Sequence, residues 1–359
     1  GIVRHGTATN ESTLKLNLEV ANLKIEEGSS IDVSSRGLLP SGTGQHYGGS
    51  HGGYGGVYQT RGTPNEPHGD EYHPEDFGSG GRSGNSRQTR GGGSLKLKVT
   101  NELVLDGTIK ANGETYATDY SYCGGGSGGS VWLEVNQLRG SGQITANGGR
   151  GIRHYAGGGS GGRVAVYYQN AEGFNLEGIY ARGGAGYSAQ HGGAGTVYIK
   201  DSNQEKGVLR IDNGSNAPAN SGITPISSGT RTEEIIISSS HVKLTGAEEA
   251  IWDNAVITDS IFEQESNWQI TDLTLTNSTL TQSGELTVTD LSMTGGSWRQ
   301  DGIFTVSGNY QVSGTTVNRN AEYHIPQYNP VMTIAAGTIE TITTACPECT
   351  KAVVNGTLI

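Results

Sequence analysis

The chain has 359 residues, 59 of them glycine, and a formal net charge of −11. This acidic balance argues against a nucleic-acid partner, because contacts to phosphate need clustered Lys and Arg. No apolar run approaches the roughly 18 residues of a membrane-spanning helix, so we expect no membrane insertion. Glycine is about twice its usual share of roughly 7%, and the apolar fraction of 33% is low for a compact globule.

The chain opens with alternating apolar and polar residues over positions 12–34. A period of two is typical of a half-buried strand. We therefore predict one or two strand-containing coils here that lead into the repeats. The alternating apolar positions are Leu14, Leu16, Leu18, Val20, Leu23, Ile25, Ile31 and Val33.

Residues 36–93 interrupt this alternation with runs of Gly, Ser, Tyr and His. A segment of this length without strands is either functional or an insertion packed against the side of the fold. We expect a long glycine-rich loop at this place.

The segment His68–Asp76 within that loop is the best candidate site, because it offers four carboxylates and two imidazoles. Such a loop suits a cation or a sugar, and Ca²⁺ is the one cofactor left open. The alternative is a solvated polar turn that two aromatic side chains hold against the coil beneath it. The candidate ligand-binding residues are Tyr54, Asp70, Glu71, Tyr72, His73, Glu75 and Asp76.

Glycine runs followed by short strands recur along the first half of the chain. The run and strand at Cys123–Val135 are repeated 33 residues later at Gly157–Tyr167, and a weaker copy at Gly192–Ile199 follows after another 33. Gly91–Val99 stands 36 residues before the first copy. A second motif, which begins at Ile109, Ile144 and Ile179, recurs every 35 residues. These are repeats of one structural unit.

The repeated unit is predicted to be a β-strand coil. Leu95, Leu97 and Val99 alternate with Lys96 and Lys98, as in a half-buried strand. Glycine destabilises a regular element by roughly 0.5–1 kcal/mol relative to alanine. Long glycine runs therefore indicate backbone that needs positive φ or very close approach. Stacked coils of a solenoid provide both conditions, and each coil contacts only its neighbours.

A turn-rich segment at residues 201–232 suggests a boundary, which we place between a unit at 1–230 and a unit at 231–359. Beyond it the repeat shortens to 18 residues, and the spacing of its apolar positions does not follow the hexapeptide rule of left-handed β-helices. The expected fold class is all-β, a right-handed parallel β-helix with a long loop insertion. Trp268, Leu286 and Phe304 occupy equivalent positions of successive short repeats, and this column should lie in the core.

The three cysteines cannot all pair. Cys346 and Cys349 form a CxxC motif, which without a second such motif or a His pair is only a weak indication of a metal site. We expect a local disulfide or inert thiols.

The glycine motifs resemble the glycine-rich β-helical segments of very large secreted or surface-displayed microbial proteins of the adhesin-like type. The resemblance covers roughly residues 30–200 and includes Gly48–Gly56, Pro74–Gly81, Gly91–Leu97, Ile109–Gly113, Gly124–Gly129 and Gly157–Tyr168. It implies an extracellular or cell-surface location and an architectural role, and it brings no catalytic residues.

The expected function is a non-catalytic structural or adhesive module that contacts carbohydrate or another surface polymer. Tyrosines that could stack on sugar rings are Tyr47, Tyr54, Tyr58, Tyr72, Tyr167, Tyr168, Tyr180 and Tyr198. Ordinary strand packing is the alternative role for the strand tyrosines. A polysaccharide lyase or hydrolase is the first rival, although the chain contains no Asp-Asp pair. A filament subunit that associates end to end is the second, because the ends of a β-helix expose open strand edges.

Overall fold

The computed structural model describes residues 1–9, 14–84, 87–117, 122–229, 234–325, 332–334, 339–342, 352–354 and 357–358. This part of the chain is nearly all β, and its helices are two three-residue 3₁₀ turns, Leu176–Gly178 and Pro218–Asn220. No helix in the described ranges is long and apolar enough to cross a membrane. The chain divides into two compact units, Gly1–Thr224 and Pro225–Ile359.

The strands of the first unit are short where glycine dominates and long where side chains alternate. They are β1 (Ile2–Val3), β2 (Leu16–Ile25), β3 (Ser30–Asp32), β4 (Thr43–Gly44), β5 (Gly62–Thr63), β6 (Ser94–Leu105), β7 (Thr108–Lys110), β8 (Ser130–Arg139), β9 (Gln143–Thr145), β10 (Arg163–Asn170), β11 (Ile179–Tyr180), β12 (Thr196–Asp201) and β13 (Val208–Asp212).

Two parallel sheets form most of the first unit. One has the order β1-β3-β7-β9-β11, and its register places Ile109, Ile144 and Ile179 side by side. The other joins β2, β6, β8, β10 and β12 in parallel, and β13 pairs antiparallel to β12. Arg163 pairs with Thr196 across β10 and β12, a step of 33 residues. The strands therefore pair at the spacings of the sequence repeats.

The two sheets share one hydrophobic core. Leu97, Leu133 and Val166 lie in register on neighbouring strands of the larger sheet and are fully buried. Ile109 and Ile144 from the smaller sheet belong to the same buried cluster. Because side chains of a strand alternate between faces, the residues between these positions point to the opposite face of the larger sheet.

The glycine runs form a third part of the unit that is not a sheet. The run around Gly125 accepts a hydrogen bond from Gly49 N at 2.9 Å and donates one to Gly157 O at 3.0 Å. One residue further on, Gly126 O accepts from Gly149 N at 2.7 Å. A strand in a sheet has two neighbours, whereas this run bonds to more than two, so the glycine segments pack as a bundle.

Residues 36–93 are glycine-rich, and their described part contains little strand. They include the antiparallel pair β4 and β5, and much of their backbone lies buried inside the glycine bundle. A Cβ on Gly48 would lie 1.9 Å from the carbonyl oxygen of Gly158, so the two chains touch backbone to backbone. The segment therefore forms part of the packed interior.

The second unit consists of shorter coils, from β14 at its start to the last described residues. Its strands are β14 (Thr224–Ser227), β15 (Glu234–Ser238), β16 (His241–Thr245), β17 (Ala250–Thr258), β18 (Ile261–Gln264), β19 (Trp268–Gln282), β20 (Leu286–Gln300), β21 (Phe304–Val306), β22 (Tyr310–Ser313), β23 (Thr316–Arg319), β24 (Tyr323–His324), β25 (Met332–Ile334), β26 (Ile339–Ile342), β27 (Ala352–Val354) and β28 (Thr357–Leu358).

Strands β19, β20 and β21 pair in parallel at the shorter repeat. Thr279 lies beside Ser297, a step of 18 residues. Trp268 lies beside Leu286, and Leu286 lies beside Phe304. The side chains of this last column are at most 1% exposed, as the sequence predicts. These buried side chains form an apolar column that runs across the strands of the unit.

Candidate functional site

The larger sheet of the first unit presents two outward columns of side chains. In the first, Trp132 lies between Lys96 and Ala165 on neighbouring strands. In the second, Glu134 pairs with Lys98 on β6 and with Tyr167 on β10. Alternation along each strand brings these aromatic and charged groups to the same face, away from the core.

The segment 66–77 crosses this face and is anchored by the first residue of each strand. The Ser94 hydroxyl donates to the carbonyl oxygen of Glu75 at 2.8 Å, and the Ser130 hydroxyl donates to that of Asp76 at 2.7 Å. Ser94 and Ser130 are themselves paired in the sheet register. The repeat thus provides a row of donors that fixes the segment above the strands.

Arg163 continues that row as a buried cation. Its Nε donates to the carbonyl oxygen of His68 at 2.8 Å, and its Nη1 donates to the Thr196 hydroxyl at 3.1 Å. The Glu71 carboxylate lies 3.7 Å from Nη1. Burial lowers the pKa of Arg163, and the Glu71 charge opposes that shift. The guanidinium therefore ties the crossing segment to two strands and neutralises one of its carboxylates.

Asp70 and Tyr72 shape the tip of the segment. The Asp70 carboxylate accepts backbone N–H bonds from Tyr72 at 2.7 Å and His73 at 2.9 Å, which closes a turn. The Tyr72 ring packs edge to face on Tyr198, with centroids 4.8 Å apart, and the Tyr167 hydroxyl donates to Tyr72 O at 2.9 Å. These contacts aim the next side chain, His73, along the sheet.

A groove of about 450 Å³ lies between this segment and the sheet. The His73 ring contacts Trp132 edge to face at 4.9 Å and lies parallel to the Tyr167 ring at 6.1 Å. Lys96 Nζ lies 3.3 Å from the centroid of the Trp132 ring. The groove is lined by His73, Lys98, Val99, Thr100, Trp132, Glu134, Val135, Asn136, Tyr167, Gln169 and Ser202.

The predicted site residues have different roles in the structure. His73 lines the groove, and Tyr72 supports its wall. Glu75 pairs with Lys15 at 3.3 Å and with Lys96 at 3.4 Å. Burial raises the pKa of Glu75, but the hydrogen bonds from these two lysines outweigh it and leave the pKa lowered.

Tyr54 lies apart from this groove. Its hydroxyl bonds to the Glu66 carboxylate, and its backbone N–H donates to Ile223 O at 2.8 Å. Burial, followed by that carboxylate, raises the pKa of Tyr54 to about 12. Asp76 contributes its backbone carbonyl to the anchor row. Trp132 is not among the predicted site residues, although the alternation of its strand in the sequence indicates that it faces outward.

The carboxylates of the segment do not converge on one point. In the described ranges, no three His, Cys, Asp or Glu side chains form a group suited to a metal ion. Cys346 and Cys349 lie outside the described residues. Cys123 is a buried free thiol, and burial raises its pKa to about 12. The described groups of this site therefore offer stacking and hydrogen bonding.

The groove combines flat aromatic rings with hydroxyl, amide and charged groups, so it can stack against an apolar face and hydrogen-bond to polar groups beside it. Comparison of the chain with protein-family models, with curated proteins and with solved structures found no match.

Proposed function

We propose that the chain is a non-catalytic module of a large secreted or surface-displayed protein, with a structural and adhesive role outside the cell. In this proposal the strands wind as a right-handed parallel β-helix, and the groove beside Trp132 binds carbohydrate. The glycine-rich motifs that resemble adhesin-like proteins support the location and the role.

The strand register supports the β-helix. Parallel neighbours are offset by 33 residues between Arg163 and Thr196 in the first unit. In the second unit they are offset by 18 residues between Thr279 and Ser297. A parallel pair requires a crossover connection, and successive crossovers of the same length produce stacked coils. The right-handed form follows the handedness of nearly all parallel crossovers.

The observation that carries the binding proposal is the arrangement of His73, Trp132 and Tyr167 along one open groove. Aromatic side chains with a polar edge suit ligands that have both an apolar face and hydroxyl groups. Sugar rings have this character, and Asn136 and Gln169 are amide-bearing residues of the same groove.

The composition of the groove favours binding over hydrolysis. Glu134 is the single carboxylate among the described residues that line it. Glycoside hydrolysis uses two carboxyl groups, about 5 to 10 Å apart, on either side of the scissile bond. One acidic group beside aromatic rings is better suited to orienting a sugar than to cleaving it.

A glycan panel tests the proposal. Neutral and uronate oligosaccharides are titrated against the whole chain by calorimetry, and Trp132→Ala is expected to abolish binding of the oligosaccharide that occupies the groove. Tyr180→Ala is the matched control, because Tyr180 lies on β11 in the other sheet. If the panel gives no binding, or if both variants bind equally well, the groove is not a carbohydrate site.

The rival lyase or hydrolase is tested in the same samples. His73, Lys98 and the Tyr167 hydroxyl belong to one groove and include groups that can move protons. Formation of new reducing ends or of unsaturated product, lost in His73→Ala, would overturn the non-catalytic proposal. We expect no turnover.

A further inference from the structure

A second aromatic cluster lies on the first unit, in segments that do not line the groove. The Tyr58 and Tyr155 rings contact each other with centroids 4.3 Å apart, and the Arg61 guanidinium lies 5.4 Å from the centroid of each ring. His154 extends the cluster, edge to face with Tyr187 at 5.3 Å. We call Tyr58, Arg61, His154, Tyr155 and Tyr187 the tyrosine patch.

The tyrosine patch is exposed and held by unusual backbone. Tyr155 is 38% and Tyr187 is 50% exposed, although rings of this size usually lose more of their surface on folding. Tyr155 adopts φ 74° and Arg153 adopts φ 62°, which are left-handed conformations that bulky residues rarely occupy. The fold therefore maintains an uncommon backbone at the place where these rings face solvent.

A shallow groove of about 290 Å³ adjoins the patch at Tyr58. The amide side chains of Gln59, Gln190 and Asn220 line it, together with Ser188. Neutral hydrogen-bonding groups thus continue the surface beyond the guanidinium. An aromatic platform, a cation and a row of amides lie next to one another.

The segments that build this surface lack acidic residues. Residues 57–65, 150–158 and 184–192 contain no Asp or Glu, although the chain has 35 of them. The same segments supply Arg61 and His154 to the patch. In a protein of net charge −11, this surface is suited to an anionic ligand.

We propose that the tyrosine patch binds a uronate unit of an acidic polysaccharide. Tyr155 and Tyr187 provide faces on which the sugar ring stacks, and the Arg61 guanidinium binds its carboxylate. The amides of the adjoining groove bind the hydroxyl groups of the next sugar. A guanidinium is suited to this role because its planar N–H groups match a carboxylate.

The test uses the whole chain and three probes: oligogalacturonate, oligomannuronate and hyaluronan oligosaccharides. At least one is expected to bind, with an affinity that falls as sodium chloride is raised. Methyl esterification of that probe, which removes its charge but keeps its rings, should weaken binding about tenfold or more, as loss of one charged hydrogen bond would. Arg61→Gln should have a similar effect.

Two further variants separate this site from the groove and from misfolding. Tyr187→Ala should weaken uronate binding, because the exposed ring can be removed without opening the core, while Trp132→Ala should leave binding at the patch unchanged. A thermal unfolding midpoint equal to that of the wild type verifies that each variant is folded. Absence of binding by all three probes, or uronate binding that is insensitive to Arg61→Gln and to esterification, would overturn the proposal.

Discussion

Single glycines of the bundle have almost no room for a side chain. A Cβ on Gly128 would lie 1.9 Å from the Ala146 carbonyl oxygen and 2.5 Å from Gly162 N. Both groups are backbone, so neither can move without displacing its own chain. The glycine content of this protein therefore reflects contact between chains at many positions.

Gly128→Ala is expected to lower the free energy of unfolding by more than about 3 kcal/mol, because overpacking here strains backbone rather than a side chain. Gly178→Ala is the matched control, since its nearest heavy atom would lie at 3.5 Å. Urea unfolding of both variants measures the difference. Equal stabilities would contradict the proposed close packing.

His51 is a second residue whose environment sets a measurable property. Its Nδ1 lies 2.9 Å from Gly128 O, and its ring lies 4.7 Å from that of His68. Burial lowers the pKa of His51 well below its usual value, and the neighbouring His68 and Arg163 lower it further. The folded protein thus holds this imidazole neutral.

The lowered pKa of His51 predicts the direction in which the stability of the fold changes with pH. The unfolded chain protonates His51 near pH 6.5, whereas the folded chain does not, so the unfolded state binds more protons as the pH falls. Stability should decrease below about pH 6.5, with a limiting slope of about 1.4 kcal/mol per pH unit for this group. Urea unfolding at pH 7 and pH 5 measures the loss.

His51→Gln should reduce this pH dependence, whereas His154→Gln, at an exposed position, should not change it. If both variants lose stability with acid as the wild type does, another group is responsible for the dependence.

At the scale of elements, the parallel strands of the second unit carry a row of buried glutamines. Gln264, Gln282 and Gln300 lie in register and are fully buried. Gln282 Nε2 donates to the carbonyl oxygens of Gly284 at 3.1 Å and Ile303 at 2.8 Å. Each of these glutamines donates to backbone carbonyl oxygens at the turn between one strand and the next. Because those carbonyls are hydrogen-bonded, the turn can be buried.

Gln282→Leu keeps a similar volume but removes the donor for these two carbonyls. We expect a loss of about 1–3 kcal/mol in the free energy of unfolding. The Gln282 side-chain oxygen has no partner in the described structure, so the substitution also removes one unsatisfied acceptor and keeps the loss moderate. Gln269→Leu, at an exposed position of the same strand, is the control and should be nearly neutral. A larger effect at position 269 would contradict this role.

The sequence predicts the strands better than the glycine segments, for a physical reason. Alternation of Leu95 and Leu97 with lysines marks one buried face, and repetition of that pattern gives the register. A glycine run has no side-chain pattern from which to predict its partners, so the sequence indicates close backbone approach around Gly48 but not which segments meet there.

The candidate groove was predictable only in part. His73 lay in the segment selected for its polar groups, and it does line the groove. Trp132 comes from a strand far along the chain, and its proximity to His73 depends on how Ser130 and Arg163 anchor the crossing segment. Contacts of this kind follow from tertiary packing, which local patterns do not encode.

The proposed stacking of coils implies that one coil can be removed from the chain as a unit. Asp272 on β19 pairs with Asp290 on β20. Deletion of residues 272–289 therefore joins Thr271 directly to Asp290, which occupies in the next coil the position that Asp272 occupies in its own. Each coil contacts only its neighbours in a solenoid, so the shortened chain should bury the same apolar column over one fewer layer.

We expect the 272–289 deletion to retain strand-type circular dichroism and cooperative unfolding, with stability reduced by the contribution of one coil. Deletion of residues 272–280, about half a coil, is the matched control, because it leaves a chain too short to complete the coil and removes the parallel partners of the neighbouring strands. That control should lose cooperative unfolding in the second unit. If both deletions fold equally well, or if the 272–289 deletion alone unfolds, the coils are not the independent layers that the β-helix proposal requires.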